Sequence, residues 1–116
     1  MKKSRQDWVD AGLGLLREEG QQALTIDRLT QQLGVTKGSF YHHFGGLPGF
    51  RQALLECWEE RFTTRPMENA WVEPDPLLRA RLLGANVAQL DHRLDFAVRA
   101  WGMRDREVRD YVRRVD

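Results

Sequence analysis

Apolar residues recur along this chain at helical spacing from end to end, and no segment alternates with a period of two. Trp8, Val9, Gly12, Leu13, Leu15 and Leu16 follow an i, i+3, i+4, i+7 rhythm. That rhythm predicts a helix over about residues 5–19, with Ser4 as its cap and Gly20 as its stop. Gly12 and Gly14 inside it each cost up to about 1 kcal/mol relative to alanine. Close packing on a neighbouring helix is the reading for Gly12 at least. After a connector over residues 20–24, Thr25 caps a second helix whose Ile26, Leu29 and Leu33 form a buried face. Asp27 falls in its first turn, where a carboxylate suits the positive end of the helix dipole, and Gly34 ends it. Val35 plugs the turn, and Thr36 caps a third helix running to about His43. Gly45-Gly46-Leu47-Pro48 then breaks the chain before a fourth helix, which carries Phe50, Ala53, Leu54, Cys57, Trp58 and Phe62 and ends before Pro66.

Residues 63–76 read as a proline-containing linker with Trp71 in it. A fifth helix over about residues 76–90 carries Leu77, Leu78, Leu82, Leu83, Val87 and Leu90, and Phe96 to Trp101 suggest a sixth. Residues 104–107 interrupt the pattern. Val108, Tyr111, Val112 and Val115 then begin a seventh helix, an apolar stripe whose partner is not visible in the sequence. The expected fold is all-α. It divides into a three-helix unit over residues 1–47, with two short helices broken at Gly34, and a further helical region over residues 48–116.

Composition narrows the class without choosing a function. At 116 residues, 41% apolar and 30% charged, the chain has the size of one domain and the make-up of a globular protein rather than a disordered one. No stretch approaches the roughly 18 apolar residues of a membrane span, and the start lacks a signal peptide's apolar core, so the expected location is cytoplasmic. Cys57 is the single cysteine, which leaves no internal disulfide and no cysteine cluster for a metal, and it reads as a small buried hydrophobe. No carboxylate pair, nucleophile motif or phosphate loop stands in a credible context, so neither an enzyme nor a cofactor is expected. Up to Phe44 the chain has six Lys/Arg against five Asp/Glu, and beyond it twelve against twelve. Any affinity for nucleic acid must therefore come from local placement of donors, not from bulk charge.

The informative segment is Thr25 to Phe44: two short helices broken at Gly34, the second opening on small polar residues. This arrangement is what a helix-turn-helix needs to seat one helix in a DNA major groove. Leu24-Thr25-Ile26, then Leu29, then Leu33-Gly34-Val35-Thr36-Lys37-Gly38-Ser39-Phe40-Tyr41-His42-His43-Phe44 resembles the DNA-binding domain of TetR-family transcriptional regulators, and the resemblance covers about residues 5–62. It implies that the third helix reads the groove with Thr36, Lys37, Gly38 and Ser39. Small residues there let the backbone approach, Lys37 can donate to guanine O6/N7 or to a phosphate, and Thr36 and Ser39 can contact bases or backbone. Tyr41 and His42 would reach phosphate oxygens, and the helix start at Thr25 would offer N–H groups to another phosphate. Tyr41 as a core aromatic is the rival reading. His43 is expected to be a partly buried orienting residue. Adjacent His42 and His43 diverge by about 100° and are not expected to share a metal. Phe40 and Phe44 face the core.

Two positions depart from the family pattern. Leu47 stands where the family often has a phosphate-gripping lysine, and Gly45-Gly46 replace longer, often basic residues. Weaker binding with a shallower salt dependence is the consequence, unless Lys2, Lys3 and Arg5 reach the adjacent backbone or minor groove rather than forming a solvated tail. Phe96 to Trp101 and the residues after Arg104 resemble, less specifically, the middle of the family's regulatory domain. Trp71, Phe96, Trp101 and Met103 are candidates to line an effector pocket, with ordinary core packing as the rival. Family members usually continue for several dozen residues past the position of Asp116, so the sequence reads as a truncated chain or one that dimerises through other helices. The resemblance thus implies a ligand-responsive repressor that reads a palindromic double-stranded DNA operator as a homodimer, with a small-molecule effector and no membrane partner. The alternative is a shortened interaction module that pairs with a full-length relative and has little DNA affinity of its own.

Overall fold

In the computed structural model, which describes residues 3–116, every predicted helix is present and one more is added. The helices are α1 (Arg5–Glu19), α2 (Ile26–Leu33), α3 (Lys37–Phe44), α4 (Leu47–Glu59), α5 (Arg65–Trp71), α6 (Pro76–Ala88), α7 (His92–Gly102) and α8 (Arg106–Val115). No strand occurs among the described residues, so the fold is all-α. Ser4 and Asp7 fix the start of α1 by a reciprocal capping box. Ser4 N–H donates to Asp7 Oδ2 at 2.8 Å and Asp7 N–H donates to Ser4 Oγ at 3.2 Å, which holds the Asp7 carboxyl below its ordinary range.

α1 is the central rod. It packs on α2, α4 and α7, and its Trp8 and Leu16 belong to one cluster with Leu29, Phe40, Phe50, Leu54, Trp58, Val98, Trp101 and Val108. Because that cluster draws on both sides of residue 47, the division expected there is not a division in packing. At Gly12 side chains of α4 press directly on α1. A Cβ at Gly12 would lie 2.6 Å from Phe50 Cζ and 2.9 Å from Leu54 Cδ2, so close packing does account for this glycine. Gly14 has nothing within 4 Å of its notional Cβ, and the fold gives no reason for it.

The expected linker over residues 63–76 is mostly helix. α4 runs through a π turn at Glu60–Thr64 directly into α5, and Arg65 N–H donates to Glu60 O, five residues back. Pro66 read as a breaker because a proline in an α-helix removes one hydrogen bond and collides with the carbonyl four residues earlier. The wider π turn relieves both conflicts, so the helix continues and Pro66 is buried. The real break is at residues 72–75, after which Asp75 caps α6 through Leu77 N–H and Pro76 occupies the first helical position. Asn86 Nδ2 donates to Pro66 O at 3.3 Å and ties α6 back onto α5.

Capping aspartates also move two other helix starts upstream of the expected ones. Asp91 accepts from Leu94 N–H and starts α7, and Asp105 accepts from Val108 N–H and starts α8. The α8 stripe has its partner within the chain: Val108 and Tyr111 are buried, Val112 and Val115 are half-buried, and the helix lies on α7 and α4. Asp105 in addition pairs with Arg51 of α4, whose guanidinium stacks 5.3 Å from the Trp101 ring centroid. The α5–α6 hairpin contrasts with this. No residue of α6 is buried, and Met67, Trp71, Val72, Leu77 and Leu78 are exposed. Among the described residues no helix is long and apolar enough to cross a membrane.

The two α1 glycines should respond oppositely to alanine in urea denaturation. Gly14→Ala should raise stability by about 0.5–1 kcal/mol, the helix-propensity gain with no clash to offset it. Gly12→Ala should lower stability, since forcing the buried Phe50 ring aside costs about 1–3 kcal/mol and outweighs that gain.

Candidate nucleic-acid interface

α3 has eight residues, and one of them, Phe40, is fully buried. Its ring meets Trp8 of α1 at 5.5 Å, Phe50 of α4 at 5.4 Å and Phe44 at 5.3 Å, and Phe44 meets Phe50 edge-on at 4.9 Å. The Phe40–Phe44 pair is tilted and the others are edge-to-face, and such packing fixes ring orientation as well as burying apolar area. Gly45 closes the helix in the left-handed conformation (φ 72°). Gly49 then allows α4 to pass the end of α3, since a Cβ there would sit 2.3 Å from Phe44 O. With this side of α3 fixed on the core, Thr36, Lys37, Gly38, Tyr41 and His42 are exposed and Ser39 is half-buried. The residues of α3 expected to meet DNA are therefore accessible, Ser39 less so than the others. His43 turns the other way: its Nε2 lies 3.2 Å from Lys3 O, which docks the N-terminal arm onto α3.

The two threonine caps are not equivalent. Thr25 Oγ1 accepts from Arg28 N–H at 3.2 Å, and its own O–H remains available to donate outward. Thr36 occupies the cap position of α3, but its hydroxyl makes no cap hydrogen bond, a correction to the capping role expected for it. Gly38 also has no structural cause. Its φ is not positive, and the nearest atom to its notional Cβ is Thr36 Oγ1 at 3.8 Å. The start of α3 thus carries a free hydroxyl and a bare stretch of backbone that the fold does not require. Tyr41 combines its two readings, with the ring packed edge-on against Phe40 at 5.7 Å and the residue still half exposed.

Ion pairs shape the electrostatics of this face. Lys37 Nζ donates to Asp27 Oδ1 at 2.8 Å, which raises the Lys37 pKa above its ordinary value. Asp27 therefore does more than complement the helix dipole: it holds the amine of α3. Arg28 forms a two-pronged pair with Glu19, one arm at 3.0 Å, and this lowers the Glu19 carboxyl and fastens α2 to the end of α1. Neither pair was read from the sequence, because residues ten and nine apart meet only once the turns are known. Lys3 and Arg5 have no ion-pair partner among the described residues, and the Arg5 guanidinium stacks 5.2 Å from the Phe44 ring centroid, so Arg5 is no loose tail. Lys2 lies outside the described residues. Leu47 is half-buried against the core, which explains an apolar residue at the position where a lysine was expected.

The four residues expected to line an effector pocket do not converge. Trp101 and Met103 share a cleft with Gln21, Gln22 and Arg104, but Trp101 is buried while Met103 is 80% exposed. Trp71 lies apart in the α5–α6 hairpin, 68% exposed beneath the Arg79 guanidinium, and Phe96 stands 78% exposed on α7. An apolar side chain marks a candidate for lining a pocket, but residue type does not fix which neighbours come to surround it.

Comparison with known proteins agrees with the geometry of the first three helices. Residues 9–46 match the family described as bacterial regulatory proteins, tetR family. The chain is 35% identical over 81 residues to the transcriptional regulator AcuR of Cereibacter sphaeroides, an alignment spanning 68% of this chain and 36% of that one. It is 32% identical over 78 residues to the transposon Tn10 TetC protein of Escherichia coli, spanning 60% and 38%. It is also 34% identical over 65 residues to the nucleoid occlusion factor SlmA of Glaesserella parasuis, spanning 55% and 32%. The chain thus spans about a third of the length of these curated relatives. No solved structure matches it significantly.

Thermal or urea unfolding separates the two caps. Thr25→Ala should cost about 1 kcal/mol through loss of the Arg28 N–H acceptor. Thr36→Ala should cost clearly less, because no cap hydrogen bond is lost.

Proposed function

The chain belongs to the tetR family of bacterial regulatory proteins through residues 9–46, and on that footing we propose that it is a transcriptional repressor whose α3 enters the major groove of an operator. The observation that carries this reading is the unexplained chemistry at the start of α3. Gly38 weakens a short helix without relieving any contact, and the Thr36 hydroxyl forgoes its cap bond. Both make sense if a phosphate or base edge approaches that backbone. In this reading Lys37, Ser39 and Thr36 contact bases or backbone, Tyr41 and His42 reach phosphates, and Thr25 presents the start of α2 to a further phosphate.

Two copies read the two halves of a pseudo-palindrome, since one recognition helix gives little specificity. The exposed apolar face of the α5–α6 hairpin supports self-association, being the kind of surface that soluble monomers seldom leave uncovered. A small molecule that alters the spacing of the two copies would release the DNA. A second reading, an interaction module with little DNA affinity, draws support from the pairing of Lys37 and Arg28 with carboxylates on the same face.

Fluorescence anisotropy on the DNA upstream of the chain's own gene, over a range of salt, distinguishes the two. The repressor reading requires tighter binding to that DNA than to random duplex, weakening as salt rises. Binding that never exceeds the random control would leave only the interaction module. Gly38→Ala should weaken DNA binding while leaving the unfolding midpoint unchanged or slightly higher, a split that a merely structural glycine would not give.

A further inference from the structure

Asp27 is hard to explain on a surface that meets phosphates. The helix dipole accounts for a carboxylate in the first turn of α2, but not for its being turned onto the first residue of α3. The side chains of Lys37 and Asp27 are 62% and 72% exposed, and ion pairs so open to solvent contribute little to stability. An isolated acid here would only repel the backbone of DNA. The pair, however, sits where the starts of α2 and α3 meet, beside the free Thr36 hydroxyl and the bare backbone of Gly38.

We propose that the Asp27–Lys37 ion pair is a base-reading unit for a single G·C pair, with Lys37 donating to guanine O6 and N7 and Asp27 accepting from the cytosine amino group. The inference rests on the DNA-binding reading above and adds to it a specificity determinant on α2. The ammonium has three N–H groups and uses one on Asp27, so two remain for the guanine acceptors. The carboxylate keeps Oδ2 uncommitted. In the major groove the edge of a G·C pair sets the O6 acceptor beside the N4 donor, and those two atoms, bonded to each other, lie about 2.9 Å apart. Lys37 Nζ and Asp27 Oδ1 lie 2.8 Å apart with the complementary order of donor and acceptor. An A·T pair in the same register leaves Lys37 the purine N7 but sets the adenine amino donor where O6 stood and thymine O4 against Asp27, so two of the three contacts turn repulsive. The pair also holds Lys37 in one position before DNA arrives, which reduces the ordering cost of the contact.

The test begins with the full chain selecting duplexes from a randomised pool. Anisotropy then compares wild type, Asp27→Ala and Lys37→Gln on the selected duplex, on its single-base-pair variants and on random duplex. Wild type should prefer G·C over A·T by on the order of tenfold at one position in each half-site. Asp27→Ala should lose that preference at that position alone, keep the others, and bind random duplex as tightly as wild type or more so. Lys37→Gln should lose the preference at the same base pair. Matching circular dichroism for the three proteins shows that the fold is kept. If Asp27→Ala changes affinity for every duplex by one common factor, or if the two variants act on different base pairs, the base-reading unit is refuted while the repressor reading stands. If wild type selects no sequence over random duplex, both fail together.

Discussion

An eight-residue helix is too short to be stable in water by itself, so everything presented by α3 depends on the seating of Phe40. That ring is wholly buried among Trp8, Phe44 and Phe50, which come from α1, from α3 itself and from α4. Its burial fixes the rotation of α3 about its axis, and with it which residues face out. Gly12 and Gly49 serve the same seating from outside α3: one lets the Phe50 ring press against α1, and the other lets α4 graze the last carbonyl of α3. Larger side chains at either position would move the walls of the socket before they touched α3.

The later helices reinforce this socket rather than forming a separate body. α7 covers the far side of α1, and α8 covers α7 and α4. Two acid-arginine contacts join them to it at the rim: Arg51 with Asp105, under Trp101, and Arg114 with Glu59 at 2.9 Å. The α5–α6 hairpin stands outside this arrangement, held to the rest by the helix that runs into it. Charge is handled in the same local way. The face of α2 and α3 is close to neutral because its cations have carboxylate partners, not because it lacks cations.

The sequence disclosed most of this where physical causes were local. Caps at Ser4 and Thr25, the stop at Gly34 and the inward turn of Phe40 came from spacing and residue type alone. The close approach at Gly12 was legible as a glycine that a helix would not otherwise tolerate. Features that depend on a neighbour could not be read. Val108 and Tyr111 formed a visible stripe, but nothing in the chain said that α7 and α4 of the same molecule cover it. Phe96 had the period of a buried residue and is exposed, because period marks a face without saying what lies against it. Asp27 and Lys37 lie on different helices, and their meeting depends on the exact path of the turn at Gly34. Pro66 misled for a different reason, since its usual effect is cancelled by five residues of altered backbone just upstream.

That stretch of backbone has a consequence of its own. A π turn is an α-helix that has absorbed an extra residue in one wide turn, so the helix beyond it keeps the facing it would have without that residue. The facing of α5 therefore depends on that turn: a plain α-helix with the same number of residues would rotate Pro66 and Ala70 by about 100° away from their buried positions. Deleting one residue from Glu60–Thr64 would keep the facing in an unbroken α-helix but bring Pro66 into conflict with the carbonyl four residues before it. In this chain the extra residue is what lets a buried proline stand in the middle of a continuous helix.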